Sequence, residues 1–136
     1  LRQKSADAEV ADRVHFAGYA GGELKSSAYH GASVLLVPSR QEAMSIVALE
    51  GAICSTPVIL TDCCGFDALA EAGAAVLVKA EVASLVDAIR QLMADAKLRS
   101  DMGASGHSFA MERYTWEIAA CRHVELFRSC VRGSNG

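Results

Sequence analysis

Residues 38–50 read PSRQEAMSIVALE and follow the apolar run SVLLV at 33–37 without a break. Pro38 and Ser39 close that run, a polar loop carries Glu42, and the chain then enters a nearly all-apolar segment whose one central charge is Glu50. This is the pattern of a strand, a turn and a helix start. A helix start leaves unpaired backbone N–H groups at the positive end of the helix dipole, so Ser45, Ile46 and Val47 form a natural seat for a phosphate. Glu42, ahead of the helix, is placed to accept hydrogen bonds from sugar hydroxyls, and Glu50, a little over one turn inside it, to reach a ribose. The structural alternative is a solvated loop acid at 42 and the wet stripe of a core helix at 50.

Outward from this stretch, strands and helices alternate. Val34 to Val37 is continuous in valine and leucine, as a parallel strand covered on both faces requires. Helix Ile46 to Ile53 follows, Pro57 lets the chain leave it, and Val58 to Leu60 is the next buried strand, completing a crossover unit. Thr61 and Asp62 fall at the carboxyl end of that strand, where ligands bind in open α/β sheets. Asp62 either lines the site or turns the chain through an Asx-type bond. A short helix is expected over Asp67 to Glu71 and a last strand over Ala75 to Val78.

Toward the amino end, Val14 to Phe16 is expected as a short strand, followed by a Gly21-Gly22 turn. Glu23 to His30 has helical spacing, with Leu24, Ala28 and Tyr29 facing inward and Gly31 stopping it. Residues 1–11, charged and rich in alanine, resemble the end of a helix. Beyond residue 78 the pattern is wholly helical: Leu85, Ile89, Leu92 and Met93 form a buried stripe, and a second helix from Asp95 to Met102 is interrupted by Gly103 and Gly106. Thr115 caps a third, in which Trp116, Ile118, Ala119, Val124, Leu126 and Phe127 offer apolar surface. Residues 133–136 read as a frayed tail.

At 136 residues the chain suffices for one core and is too short for two domains. A net charge of −3 with scattered Lys and Arg gives no basic stripe for nucleic acid and no polybasic anchor for lipid. No apolar run approaches the length of a spanning helix, and the polar start LRQKSADAEV is not a secretion signal. Five cysteines, an odd number without metal-type spacing, fit free thiols in a reducing cytoplasm. Cys63 and Cys64 read as small loop residues, because a disulfide between neighbours closes a strained ring. His15 and His30 read as packing or surface residues.

The succession of Phe16-x-Gly18, a helix ending Tyr29-x-x-Ala32, SVLLVPS, glutamates at 42 and 50 separated by seven residues, and TPVI resembles the nucleotide-binding half of GT-B retaining glycosyltransferases of family 4. DAKLRSDMG at 95–103 and RYTWEIA at 113–119 look like that family's closing helices. The resemblance implies an α/β, Rossmann-like parallel sheet with helices on both faces, lacking its first strands: residues 1–136 as a single partial domain. It implies a nucleoside diphosphate sugar as donor substrate and no cofactor; a metal is not indicated, since the chain has no Asp-x-Asp pair. Glu42 would be the catalytic residue, touching hydroxyls of the donor sugar; amides at Ala43, Met44 and Ser45 would hold the sugar, those at Ile46 and Val47 the diphosphate, and Glu50 the ribose. Gly18 and Tyr19 occupy the loop that in the family lies against the base.

Three departures stand beside the match. Met44 and Ser45 replace a bulkier residue and glycine, and Ser45 caps the helix at the risk of crowding the sugar. The family's Gly-Gly-x-x-Glu loop becomes Cys64, Gly65, Phe66, Asp67 and Ala68, with its acid shifted to Asp67 or lost. The acceptor domain and opening strands are expected in a missing N-terminal part. The expected function is therefore the donor-binding domain of a hexosyltransferase acting with retention, inactive by itself, cytoplasmic and peripheral at the inner membrane face through the missing domain. The alternative is a non-catalytic scaffold of the same fold. An unpaired sheet edge is expected to be filled by a longer chain or by a second copy.

Overall fold

The computed structural model describes residues 1–133. The elements in chain order are α1 (Arg2–Asp7), a 3-10 turn (Ala11–Arg13), α2 (Gly22–Gly31), β1 (Leu35–Val37), α3 (Ile46–Ile53), β2 (Val58–Thr61), α4 (Asp67–Glu71), β3 (Ala75–Val78), α5 (Val82–Ala94), α6 (Ala96–Arg113) and α7 (Trp116–Gly133). The three strands form one parallel sheet in the order β1-β2-β3. Leu35 lies opposite Val58, and Val58 opposite Ala75, so the carboxyl ends of all three strands share one edge.

Side-chain alternation along β2 divides the core. Val58 and Leu60 join Val37, Ala48, Ala52, Leu69 and Phe109 on one face; Ile59 joins Ala88, Leu92 and Met102 on the other. Helices therefore cover both faces, α3 and α4 on one and α5 on the other, with α6 reaching both. This is why β2 is buried at every position and reads as an unbroken apolar run. Burying Val58, Ile59 and Leu60 stabilises the fold by roughly 1.5–3 kcal/mol per side chain. Phe66, Phe109 and Tyr114 close the first face, their ring centroids 5.5 to 6.0 Å apart.

Five expectations are corrected, four of them here and the break at Gly103 and Gly106 below. Val14 to Phe16 is not a strand: it pairs with no strand among the described residues, the sheet ends at β1, and the Val14 N–H turns back to the Ala11 carbonyl at 3.4 Å. Phe16 is instead covered by the Arg2 guanidinium, 4.5 Å from its ring centroid. The helix at the amino end stops at Asp7 instead of running to residue 11, and Glu9 takes a left-handed φ of 55°. Leu24 and Ala28 face outward because α2 packs on α3 along a seam that Lys25 and Tyr29 reach. Met93 is half-exposed, one position past the stripe that ends in buried Leu92.

Gly103 and Gly106 do not interrupt α6; they are where it touches α3. A Cβ on Gly103 would stand 2.2 Å from the Ser55 carbonyl oxygen, and one on Gly106 3.3 Å from the Ala52 Cβ. The turn at Ser55 is the seat for this contact. Ser55 adopts φ 59°, its N–H bonds the Ala52 carbonyl at 2.9 Å and the Thr56 N–H bonds the Gly51 carbonyl at 3.0 Å, a Schellman closure of α3. Thr115 caps α7 as expected, its hydroxyl accepting from the Ile118 N–H at 3.4 Å. The tail reading lies outside the described residues at 134–136, and Gly133 closes α7.

Candidate functional site

The loops after β1 and β2 meet at the carboxyl edge of the sheet. Thr61 Oγ1 donates to the Ser39 carbonyl, and the Glu42 N–H donates to the Cys63 carbonyl at 2.9 Å. Gly65, at φ +60°, lies so close that a Cβ there would stand 2.3 Å from the Ala43 carbonyl oxygen. Only glycine satisfies both demands. Buried Cys64 packs beneath, its thiol 3.5 Å from the Val37 carbonyl. Cys63 donates to the exposed carboxylate of Asp62, and that hydrogen bond pushes its thiol pKa up. The turn closes through the Cys64 N–H to the Thr61 carbonyl, a backbone bond and not an Asx bond.

Ser45 is fully buried, and its hydroxyl accepts from the Ala48 N–H at 3.3 Å. Its side chain points into the protein, so the expected crowding in front of the helix does not arise. The Ser45 carbonyl takes the Leu49 N–H at 3.3 Å. With those two amides satisfied, the backbone N–H groups of residues 43–47 make no hydrogen bond among the described residues. Met44, Ile46 and Val47 are exposed on this front turn, while Ser45 between them is buried. Glu42 is exposed beside it.

Glu50 lies one turn deeper on α3 and is gripped from α2. Lys25 Nζ stands 2.5 Å from Oε1, and Tyr29 Oη donates to Oε2 at 2.9 Å. The Lys25 hydrogen bond holds the Glu50 carboxyl below its ordinary pKa, while burial, and then the bond to Glu50, raises Tyr29 to about 12. A hollow of about 150 Å³ opens beside them, bounded by Gly22, Lys25, Ser26, Tyr29, Glu50, Ile53 and Cys54. Glu42 is not on its wall. Gly18 takes the left-handed φ of 71°, and Tyr19, almost wholly exposed, folds back over Gly21. No hydrogen bond among the described residues joins either to the front turn. The structure thus brings Glu42, the front amides and Glu50 onto one loop and helix, and adds Lys25 and Tyr29, which the spacing of the sequence did not signal.

An open helix start at the carboxyl edge of a parallel sheet with helices on both faces defines a Rossmann-like α/β protein. The chain belongs to the glycosyl transferases group 1 family, whose pattern matches residues 1–109. It is similar to the D-inositol 3-phosphate glycosyltransferase of Paenarthrobacter aurescens (strain TC1), 34% identical over 130 residues, covering 93% of this chain and 31% of that protein. Among solved structures it is similar to sucrose-phosphate synthase from Thermosynechococcus elongatus, with a TM-score of 0.88 and 27% identity, over 97% of this chain and 34% of that one. It is also similar to WaaG, a glycosyltransferase involved in lipopolysaccharide biosynthesis, with a TM-score of 0.73 and 27% identity over 86% of this chain and 33% of that one. The GT-B class expected from the sequence holds. The chain spans about a third of the length of these relatives. Among the described residues, no helix is long and apolar enough to cross a membrane.

Proposed function

We propose that residues 1–136 are a single partial domain that binds the donor of a retaining hexosyltransferase, a nucleoside diphosphate sugar that is substrate and not cofactor. The observation that carries this reading is the run of unbonded amides at residues 43–47, ending on a capped helix and borne, all but that of buried Ser45, by exposed residues. Glu42 takes hydroxyls of the sugar, the amides of Ala43, Met44 and Ser45 hold the sugar, those of Ile46 and Val47 hold the diphosphate, and Glu50 takes the ribose. Gly18 and Tyr19 lie against the base. As the glycosidic bond breaks, the leaving diphosphate gains charge, so fixed N–H dipoles stabilise the transition state more than the ground state. No metal is required for that contribution.

The acceptor site and the cations that pair with the diphosphate belong to the longer protein, so this chain by itself transfers no sugar. The longer protein works in the cytoplasm, reaching the inner membrane face through its other domain. The free edge of β1 is filled by that remainder or, in this chain alone, by a second copy. The test is a titration with UDP, GDP and ADP followed by melting temperature. One of them raises it by the increment that ligand linkage requires, and Glu50→Ala removes the response. Silence toward all three leaves the scaffold reading.

A further inference from the structure

Lys25 and Tyr29 lie on one face of α2, one turn apart, and each takes a different oxygen of the same carboxylate. Two partners on opposite oxygens fix both the position and the plane of Glu50. Each carboxylate oxygen accepts about two hydrogen bonds, and one site on each is already used. The carboxylate therefore keeps one open acceptor on each oxygen. The Glu50 side chain is 33% exposed, so those acceptors are accessible. Two acceptors side by side match two vicinal hydroxyl donors. Glu50 follows Ile46 and Val47 by four and three positions, so it shares a face of α3 with those two exposed side chains at the helix start. Beside an anionic diphosphate an unpaired carboxylate would repel; with Lys25 at 2.5 Å the pair is neutral.

From this geometry we infer that Lys25 and Tyr29 are positioning residues that lock Glu50 as a two-point acceptor for the cis-diol of a ribose, so that the donor site selects ribonucleotides over 2′-deoxyribonucleotides. The inference rests on the donor-site reading above and adds to it a selectivity and the two residues that create it. The hollow of about 150 Å³ beside the carboxylate is well below the size of a whole ligand pocket, as a subsite for one ring requires. A purely structural role, tying α2 to the body of the domain, is served separately. Thr56 Oγ1 donates to the Tyr29 carbonyl at 2.6 Å, a bond that needs neither the Tyr29 hydroxyl nor the Lys25 amine.

The experiment measures affinity of this chain for UDP, GDP and ADP and their 2′-deoxy counterparts by calorimetry, with amide spectra to confirm the fold of each variant. The wild-type chain is expected to prefer the ribonucleotide by about tenfold, the worth of one hydrogen bond to a charged group. In Tyr29→Phe, which deletes one oxygen atom, and in Lys25→Met the preference falls toward unity through weaker ribonucleotide binding, with deoxynucleotide affinity unchanged. Lys25→Arg retains it. A preference that survives both Tyr29→Phe and Lys25→Met while Glu50→Ala abolishes it overturns the positioning role and leaves the donor site standing. Equal affinity of the wild-type chain for both sugars overturns the selectivity. Binding of no nucleoside diphosphate at all overturns the inference and the donor reading together.

Discussion

Ser45 caps the front of α3. By taking the Ala48 and Leu49 amides with its hydroxyl and carbonyl, it leaves the amides ahead of them as the available donors. Ser45→Ala is expected to cost about 1 kcal/mol of stability, read as a lower urea midpoint at unchanged m-value. Tyr29 and Glu50 give the stability a pH signature. The Tyr29 phenol is raised from 10.0 to about 12, so its neutral form stabilises the fold below about pH 10, and that contribution is lost as pH rises from there toward 12. The Glu50 carboxyl is lowered, so its contribution is present above its ordinary pKa and lost as pH falls through the depressed one. Urea midpoints measured against pH are expected to lose the alkaline component in Tyr29→Phe and the acidic one in Glu50→Gln. The cap at Ser45 was legible because serine ahead of an apolar run has a local signature. The grip on Glu50 was not, because Lys25 is 25 positions away and no local period records a contact between two helices.

Among the elements, those built from local pattern were the ones the sequence revealed. Helices α3 and α4 and strand β3 have the expected bounds, since each is a short apolar run fenced by proline, glycine or a polar cap. The strand expected at Val14 to Phe16 failed for a reason that lies outside its own residues, the lack of a neighbour to pair with. The breaks expected at Gly103 and Gly106 failed because glycine in a helix serves close packing as well as termination. Their two spacings separate the cost. Gly103→Ala is expected to lose about 2–3 kcal/mol, because the opposing atom is the fixed backbone oxygen of Ser55. Gly106→Ala, with 3.3 Å to the Ala52 Cβ, is expected to change stability by less than about 1 kcal/mol, the overpacking being offset by the gain in helix propensity. Denaturant melts of the two variants side by side check the difference.

At the scale of the molecule, the sheet has a bare flank. Among the described residues β1 has one hydrogen-bonded neighbour, β2, and Leu36 is half-exposed. Free strand edges recruit other chains, so sedimentation of the 136-residue chain is expected to show association that grows with concentration and is reversed by Leu36→Lys. A single sedimenting monomer at every concentration would count against edge pairing. The unpaired edge was expected from the family resemblance and not from composition, because an edge strand and a central one have the same apolar content. The notch that Gly103 makes for Ser55 wedges the rear of α3 against another helix. On the proposed donor-binding reading, an anion docking in front would meet a braced helix, and the loss of freedom on association would fall on the guest and on the loop at 40–44.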